Sequence, residues 1–184
     1  IYHASFGQQV SVMLRRHSQL VYKDPVTFLG RSIVFLLANI FFSVVYIKAR
    51  EHAQDQVLNR FWTMVWFLCV PTQLSVVAVY SYSAEFNSIK KEIKNGMVHP
   101  LAYLIAKVII EVPLMFVFAL FAIGIPAYGI MDYEAINFPR YLFIYACQMY
   151  VWECMAQLFS TLSANPLFGM MLVMMTWFNG FVNA

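Results

Sequence analysis

Four stretches of about twenty mostly apolar residues, and the start of a fifth, decide what this chain can fold into. A helix of roughly 20 residues rises ~30 Å, the thickness of a bilayer's hydrocarbon. The runs cover about 26–47, 61–82, 101–130, 141–162 and 166–184. The first is interrupted only by Arg31 and Asn39, and the second carries Pro71. The third holds Lys107, Glu111, Pro113 and Pro126, and is long enough to be tilted or broken. The fourth contains Glu153, and the fifth follows Asn165-Pro166 to the end of the chain. A lone strand would leave its backbone unsatisfied in lipid, and the alternation of an outer-membrane barrel is absent. The expected fold is all-α, a polytopic transmembrane helix bundle.

Composition agrees. Hydrophobic residues make up 61 % of the chain and charged residues 11 %, against roughly 25 % charged in a soluble domain. So few charges cannot cover a water-facing surface, whereas a lipid-facing one needs almost none. The net charge of +3, with no basic patch interleaved with aromatics, excludes a nucleic-acid partner. Cys69, Cys147 and Cys154 sit within apolar runs, and His3, His17, His52 and His99 are scattered, so neither a disulfide framework nor a metal site is expected. No G-x-x-x-x-G-K-[ST] phosphate loop, G-x-S-x-G elbow or H-E-x-x-H motif occurs. The chain is therefore expected to have no catalytic residues and no cofactor of its own. Both ends read as cut, so a fragment of a longer protein is expected.

Before the first span, Val10, Met13, Leu14, His17 and Val21 recur at helical spacing, while Gln8, Ser11, Arg15, Ser18 and Gln19 occupy the other side. Asp24-Pro25 stops this helix and starts the next. An amphipathic helix with basic residues ahead of a span is expected to lie along the membrane surface; the alternative is a helix packed on its own protein. Basic residues near the spans mark the cytoplasmic side. Arg15, Arg16 and Lys23 precede span one, and Lys90, Lys91 and Lys94 follow span two. The amino terminus and residues 83–99 are thus assigned to the cytoplasm.

Residues 85–95 form a charged helical segment ending at Gly96, a suitable C-cap. Ile89 and Ile93 lie four apart on one side, with Lys90, Lys91 and Lys94 toward water. Such a segment suits docking onto a soluble partner, though a solvated loop has the same composition.

This stretch resembles the first intracellular loop and third span of G-subfamily ABC transporters, the white/brown and pleiotropic-drug-resistance type. In that family an acidic residue and an aromatic precede a Glu-x-x-x-Gly element, then a Lys-x-x-x-Glu/Asp-x-Pro element. The matching residues are Glu85, Phe86, Glu92, Gly96, Lys107, Glu111 and Pro113. The family's connecting helix is matched by Phe6, Gln9, Arg16 and Pro25, and its short polar turn between spans four and five by Ser163-Ala164-Asn165-Pro166. The resemblance covers nearly the whole chain.

It implies that residues 85–95 are a coupling helix and residues 6–22 a connecting helix. Both would lie beside a nucleotide-binding domain of the same full-length chain, where ATP and Mg²⁺ would bind. Coupling residues would be Glu85, Phe86, Ile89, Lys90, Glu92, Gly96 and Arg16. A second membrane domain, from a homodimer or a longer chain, would complete the substrate cavity. That cavity is nominated to Trp66, Phe67, Val70 and Gln73, with Thr176 and Trp177 (and Met174 and Phe178 beside them) from the fifth span. The function implied is ATP-driven export of hydrophobic or amphipathic small molecules or lipids, at the plasma membrane or else an organelle membrane.

Inside the spans a charge costs at least ~2.5–3.5 kcal/mol, so it is paired, neutral or wet. Lys107 and Glu111, one turn apart, are expected to pair, with Arg31 near the same side of the membrane. Asn39 reads as interhelical glue. Glu153 either bonds between helices or faces a hydrated path. Two rival functions are an intramembrane lipid-modifying enzyme using Glu153 or His99, and a channel or passive membrane scaffold. The first lacks an evident acid/base partner, and the second lacks a polar stripe.

Overall fold

The computed structural model describes residues 5–23, 25–51 and 53–183, with the side chains of residues 25–29 set apart from that description. Asp24, His3 and His52 lie outside the described residues, as does the side chain of Pro25. Among the described residues all regular structure is helical: α1 (Phe6–Lys23), α2 (Pro25–Val45), α3 (Val57–Lys94), α4 (Pro100–Ile123), α5 (Phe138–Leu162) and α6 (Pro166–Val182). Short 3₁₀ turns span Ile47–Arg50, Gln54–Gln56 and Ala135–Asn137, and a π-helical turn covers Gly124–Ile130.

Two helical stretches, Gln54–Lys94 and Pro100–Ile130, are long and apolar enough to cross a membrane; Gly30–Val45 and Pro166–Val182 are shorter apolar helices. The fold is an all-α membrane helix bundle.

The 85–95 segment is not set off from span two. It is the last three turns of α3, one helix of 38 residues that runs through Pro71. Its end is a Schellman motif: Met97 N–H donates to the Glu92 carbonyl and Gly96 N–H to that of Ile93, each at 3.0 Å, with Gly96 at φ +69°. Lys91 and Lys94 stand in that last turn, where cations suit the helix dipole. The long third run is interrupted where Gly124 and Pro126 occur: α4 gives way to the π-helical turn, and Asp132 leaves it at φ +54°. α6 starts on a cap, with Asn165 Oδ1 accepting from Leu167 N–H at 3.0 Å and Pro166 in the first turn.

The chain divides into two compact units. One comprises the chain to Pro25, Ser75–Leu114 and the chain from Glu153; the other comprises Val26–Leu74 and Met115–Trp152. In the first, Met13, Ile89, Val98, Tyr103 and Ala106 form a buried cluster, with Leu14, Phe86 and Ile93 packed on it. Met13 and Leu14 of the α1 stripe thus pack on α3 and α4. Ala102 and Ala106 are fully buried one turn apart, the small-residue spacing that lets helices approach closely. At Gly169 a Cβ would stand 2.9 Å from Val79 Cγ1 and 3.2 Å from the Phe159 carbonyl oxygen, so only glycine fits this crossing.

In the second unit, Asn39 is fully buried and its Nδ2 donates to the Ala122 carbonyl at 2.8 Å and to Tyr145 Oη at 3.1 Å. It thus ties α2 to α4 and α5. Phe42 stacks on Trp66 at 4.6 Å, and Trp66 Nε1–H donates to Tyr46 Oη at 3.2 Å.

Candidate functional site

The polar side chains of the first unit form a network centred on Glu85 and Lys107, with an Arg16–Glu92 pair and a Gln9–His99 contact beside it, and helical spacing explains most of this geometry. On α4, Tyr103, Lys107 and Glu111 repeat every four residues and so share a face. On α3, Tyr82, Glu85, Ile89 and Glu92 share another. α1 adds Gln9, Met13, Arg16 and His17.

Glu85 is the hub. Its Oε1 accepts from Tyr103 Oη at 2.6 Å and lies 3.2 Å from His17 Nε2; its Oε2 accepts from Lys107 Nζ at 3.0 Å. Both ring nitrogens of His17 face acceptors, since Nδ1 lies 3.0 Å from the Met13 carbonyl oxygen. Burial alone would push the Glu85 pKa up, but the His17 bond, the Lys107 charge and the Tyr103 hydroxyl outweigh it and hold the carboxyl at about 2.

Lys107 is almost fully buried and stands 3.7 Å from Glu111 as well. Its ammonium lies 4.2 Å from the Tyr82 ring centroid and 4.9 Å from that of Phe86, adding cation–π attraction. Farther along, Gln157 Nε2 donates to both Glu111 oxygens at 2.8 and 2.7 Å, and Tyr82 Oη bonds to Glu111 at 3.4 Å and to buried Glu153.

At the other end, Arg16 Nη1 bonds both Glu92 oxygens at 2.7 and 2.9 Å. Gln9 Oε1 accepts from His99 N–H at 2.8 Å, at the start of α4, and Phe6 meets the His99 ring edge-on at 6.0 Å. Phe6, Gln9 and Arg16 of the connecting-helix pattern thus all touch residues 92–99.

Of the coupling residues named from sequence, Glu85, Glu92 and Arg16 are hydrogen-bonded in this network, Ile89 is buried and Phe86 packs on Tyr103 at 6.0 Å. Lys90 is exposed, as is Gly96. Lys107 and Glu111 approach each other as an i, i+4 pair. Arg31 is half-buried in the second unit.

Of the cavity nominees on α3, Trp66 and Gln73 are exposed, and Phe67 and Val70 are buried. Thr176 bonds back to the Leu172 carbonyl at 2.8 Å, and Trp177 stacks on Phe181 at 5.6 Å. Met174 and Phe178 are exposed.

Sequence reasoning missed Tyr82, Tyr103 and Gln157, and read His17 as part of an apolar stripe. The signal was present: Tyr103-x-x-x-Lys107-x-x-x-Glu111 is a polar row on one helix face, and Glu153-x-x-x-Gln157 is another.

The network reads as a clasp rather than a reaction centre, since every charge in it is held by a partner of opposite sign or by hydrogen bonds. Among the described residues no group of three His, Cys, Asp or Glu side chains is arranged to hold a metal. A pH effect follows from Glu85. Its folded pKa lies below its ordinary 4.5, so its stabilising contribution is full above pH 4.5 and is lost as pH falls toward 2. Thermal unfolding of the detergent-solubilised protein should fall over that window, and Glu85→Gln should flatten that fall; an unchanged slope in the variant would remove Glu85 as its source.

The model of the family described as ABC-2 type transporter matches residues 8–183. The comparisons with curated proteins and with solved structures find no match.

Proposed function

We propose that this chain, which belongs to the ABC-2 type transporter family, is the membrane domain of an ATP-driven exporter of hydrophobic or amphipathic small molecules or lipids. The observation that carries the reading is the run of polar contacts from His17 through Glu85 and Lys107 to Glu111 and Gln157, with the Arg16–Glu92 pair bridging the same two helices, α1 and α3, beside it. It joins the helix preceding the first span, the end of α3, α4 and α5. Motion delivered at residues 85–95 would therefore move side chains well inside the spans.

In this reading the five apolar runs are five spans of a multi-pass protein, and α1 is the connecting helix. A nucleotide-binding domain of the same chain binds ATP and Mg²⁺ and pushes on the end of α3. A second membrane domain, in a homodimer or pseudo-dimer, completes the substrate path. Energy enters as tighter nucleotide binding to one conformation than to the other. The membrane domain itself supplies no catalytic group, and the plasma membrane is its proposed location.

The exposed half of the clasp offers the test. In the full-length protein in nanodiscs, Arg16→Glu and Glu92→Arg should each leave nucleotide binding intact while lowering substrate-stimulated ATPase activity and transport about tenfold. Combining them should restore most of both. Full transport in either single variant, or no recovery in the exchange, would reject the clasp as the coupling element.

A further inference from the structure

A groove of about 210 Å³ opens in the second unit between α3, the α4 end with its π-helical turn, and the start of α5. Its floor is closed: Phe67, Ile123, Ala127 and Tyr145 are each 3–5 % exposed. Its rim is open, with Leu68 46 % and Ile144 53 % exposed. α3 and the Pro100–Ile130 stretch are long and apolar enough to cross a membrane, and a rim lying within the bilayer would meet hydrocarbon. What enters such a groove comes from the membrane. The volume exceeds the ~150 Å³ in which benzene-sized guests bind, room for part of one acyl chain.

The exposed lining of the groove is almost wholly apolar, and Tyr133 stands at its edge. Tyr133 lines it with its ring, while its hydroxyl is buried and meets no hydrogen-bond partner among the described residues. A buried donor without an acceptor is costly, so a guest that brings an acceptor gains what a purely apolar guest does not. The Arg60 guanidinium carbon lies 5.8 Å from the centroid of the same ring. Arg60 immediately precedes the second apolar run and Tyr133 follows the third, which sets both at headgroup depth. The apolar floor thus adjoins a residue that carries a hydroxyl donor and stands beside a cation.

We propose that this groove binds one acyl chain of an anionic membrane phospholipid, whose headgroup oxygens accept from Tyr133 and lie beside Arg60. The site needs only insertion in a membrane and stands whether or not the chain moves cargo.

The test uses the full-length protein in nanodiscs containing phosphatidylglycerol with a diazirine on its acyl chain, and phosphatidylcholine with the same chain. Crosslinks should concentrate at Phe67–Leu68 and Ile144–Tyr145, and be about 5-fold stronger with phosphatidylglycerol, the worth of one cation beside an anionic headgroup. Ala127→Phe, which fills the floor, should reduce labelling there to the level at Val117 and Leu120, lipid-exposed residues of α4 outside the groove lining. Tyr133→Phe and Arg60→Gln should each lower the preference for the anionic lipid and leave the unfolding temperature in place. Labelling no stronger in the groove than at Val117 and Leu120 overturns the proposal. So does equal labelling by the two lipids, or labelling unmoved by Ala127→Phe in a variant that keeps its unfolding temperature.

Discussion

Replacing Lys107 with methionine should cost about 3–5 kcal/mol of folding stability, the range found when one partner of a buried ion pair is removed. Methionine matches the length and apolar stem of lysine, so the loss is of charge rather than of volume. What remains is Glu85 with only His17 and the Tyr103 hydroxyl, and Glu111 without a cation at 3.7 Å. The aromatic rings of Tyr82, Phe86 and Tyr103, each within 5.5 Å of the ammonium, lose their cation as well. The measurement is a denaturant titration of the purified protein in mixed micelles, read by tryptophan fluorescence. Adding Glu111→Gln and Glu85→Gln to Lys107→Met should recover a large part of the loss, because the stranded carboxylates carry most of it. A single variant as stable as the parent would mean that Lys107 reaches water and that the network is not closed around it.

Gly169→Val should be nearly as damaging, at about 3 kcal/mol, for a steric reason instead of an electrostatic one. A Cβ at this position would lie 2.7 Å from Ser163 Oγ, 2.9 Å from Val79 Cγ1 and 3.2 Å from the Phe159 carbonyl oxygen. The serine hydroxyl can swing aside. Val79 is fully buried and the carbonyl belongs to the backbone of α5, so neither can retreat cheaply. The gain in helix propensity on leaving glycine is below ~1 kcal/mol and does not offset the overlap. Val79→Ala in the same chain should return part of the lost stability in the same titration. No return would place the strain at Phe159, and a Gly169→Val protein of parental stability would show the crossing to be looser than its geometry.

The helices were legible because a segment of about twenty apolar residues in lipid has to become a helix. Gly96 and Asn165-Pro166 were legible because caps are local; a positive φ or a short side chain reaching two residues on depends on nothing distant. The end of α3 was less so. Charges at Glu85, Lys90, Lys91, Glu92 and Lys94 mark where apolar sequence stops, but a helix continues wherever its backbone bonds do, and nothing between Tyr82 and Glu85 breaks them.

The face of α1 shows the limit of pattern reading. The periodicity of Val10, Met13, Leu14, His17 and Val21 defines an apolar stripe, but a stripe buries equally well against lipid or against protein. Met13 and Leu14 pack on Ile89, Val98, Tyr103 and Ala106, which lie at least 75 residues away in sequence. His17 belonged to that stripe by spacing and to Glu85 by contact.

By itself, then, the sequence determined the helices, their order, several of their ends and the membrane as their solvent, since each of these follows from the local period of polarity. Only the tertiary structure decided that Glu85 joins His17, Tyr103 and Lys107, that Arg16 reaches Glu92, and that Asn39 ties three helices together. Those bonds join residues up to 106 apart along the chain, and a partner brought in by packing leaves no trace in the local pattern of either residue.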